Sequence, residues 1–205
     1  DLNACAALEP TLRPRAHAVS GRDVILTGAT GFVGGYLLAE LLARSPRRVV
    51  CLVRARDPEH GWSRIAETAR RLGRTIERAR VEVVPADLSR PQLGLTDDVF
   101  AALAERAHRV IHCAARVDWS APFEELRPTN VGGTIEVIRL ACLAGGAAIH
   151  YVSSIGVVPV DRGGPRSRAG SERVADGERL RLPYFQSKSW PRAPTPFNTP
   201  QRAAS

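Results

Sequence analysis

Residues 23–42 read "DVILTGATGFVGGYLLAELL". The run "DVILT" (23–27) is short and apolar, as a buried strand is, and Val33, Leu37 and Leu41 then recur at helical spacing. Between them stand Gly28, Gly31 and Gly34. Gly28 permits a tight turn, Gly31 lets backbone approach a pyrophosphate, and Gly34 lets the helix pack closely on the sheet. Amides at the helix start, Thr30 to Val33 among them, would bind phosphate oxygens there. Glycines alone are a weak signal, because they occur wherever a strand meets a helix closely. Strand before, helix after and a continuing βαβ pattern make a bound nucleotide the expectation.

That continuation is present. Strands are expected at 48–53 ("RVVCLV"), 81–86 ("VEVVPA"), 109–115 ("RVIHCAA") and 147–154 ("AAIHYVSS"). Helices are expected at 60–72, at 97–107 with Thr96 as cap, and at 124–144, stopping at Gly145-Gly146. Alternating apolar strands and helices predict an α/β fold, a doubly wound parallel sheet of Rossmann type. Its ligands sit at the carboxyl ends of the strands. Three regions follow: a lead-in at 1–22, a nucleotide-binding domain at 23–189, and an irregular tail at 190–205. Within the domain, 161–182 reads as a glycine- and arginine-rich loop.

Composition narrows the function classes. A chain of 205 residues with 44% apolar and 24% charged content is globular in type. The net charge of +8 is almost all arginine, since Lys188 is the sole lysine, and it is scattered, so nucleic acid is not an expected partner. Cys5, Cys51, Cys113 and Cys142 form no metal-binding spacing. Cys51 and Cys113 lie in apolar runs and read as buried reduced thiols, which suits a cytoplasmic protein. Thr, Gly and Glu interrupt the longest apolar stretch, so no membrane span is expected.

Cofactor choice is read at the end of the second strand, where an NAD site usually carries an acidic residue for the ribose 2′-hydroxyl. Here the strand ends in Arg54, with Arg56 close by and Arg64 on the next helix. Guanidinium groups suit a 2′-phosphate, so NADP(H) is the expected cofactor. Asp87, just past the third strand, reads equally well as an acceptor for the adenine amino group or as a turn residue.

The ordered series "VILTGATGFVGGYLLAELL", "CLVRA", "ADLSRPQLGL", "VIHCAARVDW", "PFEELRPTNVGGT" and "YVSSIGV" spans about 23–158. It resembles the extended short-chain dehydrogenase/reductases. Within them it resembles the thioester reductase domains that end nonribosomal peptide synthetases and carboxylic acid reductases. The resemblance implies a cofactor site lined by Gly28, Thr30, Gly31, Phe32, Val33, Gly34, Arg54, Arg64, Asp87, Leu88, Ala114 and Ala115. It implies that Ser154, Tyr184 and Lys188 are the catalytic Ser–Tyr–Lys set, with Asn130 supporting them. It also implies hydride transfer to an acyl thioester, carried on a carrier protein's phosphopantetheine arm or on CoA. An aldehyde results, and some members reduce it on to an alcohol. The lead-in then looks like the linker that follows a carrier domain. Two alternatives stand beside this: a non-catalytic nucleotide-binding fragment, and an extended reductase for nucleotide sugars or steroids. "LGL" and "PFEELRPTNVGGT" argue against the second.

The resemblance stops at Lys188, where the family continues its helix and adds a substrate-binding part. Pro191, Pro194, Pro196 and Pro200 follow here, and a proline inside a helix costs about 3 kcal/mol. The sequence thus predicts that Tyr184 and Lys188 sit on a last helical turn that has lost its anchor.

Overall fold

The computed structural model describes residues 12–14, 21–157, 160–161, 164–165 and 182–189. Most of the lead-in, most of the loop at 161–182, the tail at 190–205 and Cys5 lie outside the described residues. Five parallel strands form one sheet in the order β3-β2-β1-β4-β5, namely β1 (Asp23–Thr27), β2 (Val49–Val53), β3 (Val81–Pro85), β4 (Ala107–His112) and β5 (Ala148–Tyr151). Chain order reverses between β1 and β4, which puts the topological switch point beside the glycine turn.

The helices are α1 (Phe32–Arg44), α2 (Pro58–Arg71), α3 (Asp97–Arg106), α4 (Phe123–Arg127), α5 (Gly133–Leu143) and α6 (Pro183–Lys188). Side chains alternate across a strand, so each strand feeds two cores. Val24, Leu26, Val49, Cys51, Val53, Val81, Val83 and Ile111 pack with Leu38, Leu42 and Ile65 of α1 and α2. Ile25, Val50, Leu52 and Val110 pack with Phe100, Leu103, Val137, Leu140 and Ala141 of α3 and α5. The result is an α/β/α sandwich.

Several expectations are corrected. The buried stripe of α1 is Gly34, Gly35, Leu38 and Leu42, with Leu37 and Leu41 half-buried beside it, while Val33 is 46% exposed. Thr96 precedes α3 without a side-chain capping bond. β4 ends at His112 rather than at 115, because Cys113 and Ala114 turn their amides to the Thr27 hydroxyl at 3.2 and 3.1 Å. β5 is a half-exposed edge strand that ends at Tyr151, three residues short of the expected 154. The long helix at 124–144 is interrupted by a π-turn at Pro128–Gly132 between α4 and α5. Such turns widen a helix and are frequent at functional sites.

At the amino ends of the strands, Arg106 binds both Asp23 (2.8 Å) and Glu82 (2.6 Å), and Arg48 adds a second contact to Asp23 at 3.1 Å. This network ties β1, β3 and α3 together at the end of the sheet away from the glycine turn. Among the described residues, no helix is long and apolar enough to cross a membrane.

Candidate active site

A cleft of about 930 Å³ opens over the carboxyl ends of β1, β2 and β4. Its floor is the glycine turn. Gly28 has φ +81°, and a Cβ on it would stand 2.7 Å from the Ala114 amide nitrogen. Bare backbone at residue 28 therefore lets the chain after β4 close over the turn. A Cβ on Gly34 would sit 2.0 Å from the Gly28 carbonyl oxygen, so only glycine lets α1 start this close to β1. Gly31 differs, since its Cβ would meet only the Gly28 oxygen at 3.3 Å and would otherwise project into open space. Gly31 caps α1 with no side-chain bond, and the first turn carries no acidic residue. The amides of that turn and the positive end of the helix thus face the cleft without a competing anion. The space, the bare backbone and the uncapped helix fit a dinucleotide diphosphate.

All twelve residues expected around a cofactor lie along this cleft. They are Gly28, Thr30, Gly31, Phe32, Val33, Gly34, Arg54, Arg64, Asp87, Leu88, Ala114 and Ala115. Arg54 is exposed at the end of β2, and Arg64 reaches from α2 to donate to the Arg54 carbonyl oxygen. Asp57, the nearest carboxylate in sequence, is committed elsewhere: it accepts from the His60 amide at 2.6 Å and pairs with Arg56 at 3.0 Å. Asp87 accepts from the Ser89 hydroxyl (2.6 Å) and amide (3.0 Å), bonds that hold its carboxyl below the usual range.

Tyr184 and Lys188 line the same cleft. Six residues are too few for a helix to hold itself, yet α6 is not the unanchored turn predicted from sequence. Asn130, buried in the π-turn, donates to the Ser187 hydroxyl at 2.9 Å. The same side chain clamps Arg116, accepting from its amide at 2.7 Å and donating to its carbonyl at 3.1 Å. The Ser153 hydroxyl donates to the Lys188 carbonyl at 3.1 Å. The Tyr184 ring stacks on Trp119 (5.9 Å between centres) over Ala121 and Leu126. Ser189 closes the helix, donating its amide and its hydroxyl to Gln186. The anchor is tertiary.

The catalytic candidates are not all at the surface of the cleft. Asn130 acts from behind it, through Ser187 and Arg116. Ser154 is not among the cleft's lining residues, and its hydroxyl accepts from the Gly156 amide at 3.3 Å; Ser153 occupies the lining position instead. Sequence reasoning also passed over Cys113, Arg116, Val117 and Glu125. Cys113 is half-buried rather than buried, and burial pushes its thiol up. Arg116 and Glu125 pair across the rim at 2.8 Å. Residues just past a strand's carboxyl end were the signal that marks most of these.

Electrostatics set the lysine apart. Burial lowers Lys188 to about 8 and raises the Tyr184 phenol. The Lys188 ammonium lies over the ring of Tyr151, 4.3 Å from its centre. Beneath, His112 is fixed at both ring nitrogens. Thr27 Oγ1 already accepts two amides, so its proton goes to His112 Nδ1 at 2.7 Å. His112 Nε2 then donates to Thr134 Oγ1 at 3.1 Å, which in turn donates to the Asn130 carbonyl at 2.6 Å. This order requires a neutral imidazole, in keeping with a pKa that burial and the Lys188 charge push down to about 3.

A parallel sheet, a glycine turn at its switch point and a Tyr–Lys pair over the same cleft define a nucleotide-binding fold of short-chain dehydrogenase/reductase type. The NAD-binding family described as "Male sterility protein" matches residues 26–190, and the chain belongs to it. Among curated relatives, glycine betaine reductase ATRR of Emericella nidulans is 42% identical over 164 residues, covering 75% of this chain and 13% of the relative. The large subunit of L-2-aminoadipate reductase from Penicillium chrysogenum is 40% identical, covering 73% of this chain and 11% of its own length. The crystal structure of the terminal R domain from the myxalamid PKS-NRPS pathway superposes with a TM-score of 0.85 at 34% identity. It covers 92% of this chain, which spans 49% of that domain. The chain is thus similar to R domains of PKS-NRPS pathways, and it spans about a tenth of the length of these curated relatives and about half of that R domain.

Proposed function

We propose that this chain is the NADPH-binding portion of a thioester reductase, acting on an acyl group carried by a phosphopantetheine arm or CoA. The observation that carries this reading is the meeting of Tyr184, Lys188 and the glycine turn over one cleft, with Arg54 rather than an acidic residue directly after β2. Relatives whose names record reduction of carboxylic substrates support it. NADPH, when bound, supplies a hydride.

The chain's residues do the rest. The amides of Thr30, Phe32 and Val33 would hold the diphosphate, that of Gly31 being donated to the Gly28 carbonyl at 2.9 Å, and Arg54, its backbone steadied by Arg64, would meet the 2′-phosphate. Lys188 supplies a cation on the ribose side. Tyr184 presents its phenol to the substrate oxygen, where negative charge develops and a donated hydrogen bond has most effect. The raised phenol keeps its proton at neutral pH, as a donor must. Asn130 is a positioning residue for α6. Loss of the thiol from the resulting hemithioacetal yields the aldehyde.

Calorimetry with the full chain tests the first half: NADPH binds more tightly than NADH, and absence of binding at millimolar NADPH overturns the proposal. Oxidation of NADPH, followed optically with an acyl-CoA or acyl-pantetheine, tests the second. Binding without turnover reduces the chain to a nucleotide-binding part.

A further inference from the structure

Lys188 is buried to 3% exposure, yet among the described residues no carboxylate stands against it. The titratable groups around it are the Cys113 thiol from the end of β4, Tyr184 on its own helix, and Tyr151 and His112 from the sheet. Glu125, also on the cleft, is taken up by Arg116. Among the described residues, the aromatic face against the ammonium is that of Tyr151, 4.3 Å from its ring centre, and this ring stacks on neutral His112 at 5.5 Å and 27°.

We infer that Tyr151 is a positioning residue: its ring face seats the Lys188 ammonium in the cleft by a cation–π contact, with His112 as its backing. This rests on the reading of Lys188 as the cofactor-side cation. The chemistry suits that task. A carboxylate partner would neutralise the lysine and occupy its donors, whereas an aromatic face attracts the charge and leaves N–H groups to meet ribose hydroxyls. The backing matters too, because a charged imidazole under the ring would repel the ammonium above it. His112 is held neutral by the direction of its own hydrogen bonds, which begin at Thr27 beside the glycine turn. The seat and the phosphate-side turn thus share one hydrogen-bonded support.

Because Lys188 is the chain's only lysine, its titration can be read alone. The experiment labels lysine with 13C in the full chain and follows the side-chain resonance against pH by NMR. Tyr151 is replaced by phenylalanine and by mono-, di- and trifluorinated phenylalanines, which keep the ring's shape while draining its face of charge. The expected result is that Tyr151→Phe stays close to wild type, and that each fluorine lowers the midpoint. Trifluorination lowers it by about 0.5 to 1 pH unit. A midpoint that stays put across the fluorinated series overturns the inference, since a merely packed ring would behave that way. The titration needs no cofactor, so a chain that fails to bind NADPH sinks the proposed function and leaves this result intact.

Discussion

Asn130 donates to the Ser187 hydroxyl at 2.9 Å, joining residues 57 positions apart and fastening a six-residue helix to the π-turn of a longer one. Replacing Asn130 with alanine removes three hydrogen bonds and strands the backbone groups of Arg116. We expect Asn130→Ala to lower stability by about 2–3 kcal/mol in urea unfolding. Limited proteolysis should then find α6 before it finds β1. Equal protection of the two segments in the variant argues that α6 holds by packing alone.

Two glycines should fail in different ways. Gly34→Ala forces a Cβ against the Gly28 oxygen at 2.0 Å, so the fold itself suffers, by about 3 kcal/mol or more. Gly31→Ala meets open space beyond its 3.3 Å contact. We expect the melting temperature of Gly31→Ala to stay within a few degrees of wild type while NADPH affinity falls at least about tenfold, because the methyl occupies diphosphate space. Calorimetry beside a thermal melt separates the two. Unchanged affinity in Gly31→Ala places the diphosphate elsewhere.

The strand–turn–helix at 23–44 was legible because its two periods and its glycines agree with one another. The cleft lining at Arg54, Asp87 and Ala114 was legible because each lies just past a strand end. The anchoring of α6 was not. A six-residue segment between a glycine-rich loop and four prolines carries no local stability, and its partners Asn130, Trp119 and Ser153 are 31 to 65 residues away from Tyr184. The π-turn was hidden too, because "PTNVG" fits an ordinary helical pattern. Ser153 and Ser154 are adjacent hydroxyls, and sequence has no way to say which one the backbone aims at the cleft.

His112 should give the protein an acid-sensitive core. Its folded pKa is pushed down to about 3 from an ordinary value of 6.5. Between those values the unfolded chain binds a proton that the folded chain does not, so stability falls as pH drops from 6.5 toward 3 and is unaffected by His112 above that window. The loss reaches up to about 4 kcal/mol. Urea unfolding at pH 7 and pH 4.5 reads the first two units of that window, about 2.7 kcal/mol. His112→Gln should be less stable than wild type at pH 7, having lost a fitted ring, but should show a smaller drop on acidification. The same drop in both proteins assigns the acid sensitivity to other groups.

If the proposed function holds, Arg54 should decide between the two nicotinamide cofactors. Its exposed guanidinium at the end of β2 gains little when the cofactor carries only a 2′-hydroxyl, whereas a 2′-phosphate offers it paired, charge-assisted bonds. Asp57, the nearest carboxylate in sequence, is engaged as the cap of α2 by the His60 amide and by Arg56. Arg54→Ala should therefore weaken NADPH binding about 10- to 100-fold and leave NADH binding nearly where it was. Raising salt should narrow the gap between wild type and variant, since the contact is solvent-exposed and screened. The expectation fails if both cofactors lose affinity equally, for then the side chain shapes the rim without reading the phosphate. It also fails if NADH binds wild type as tightly as NADPH, and Arg54 would then be one more solvated arginine in an arginine-rich chain.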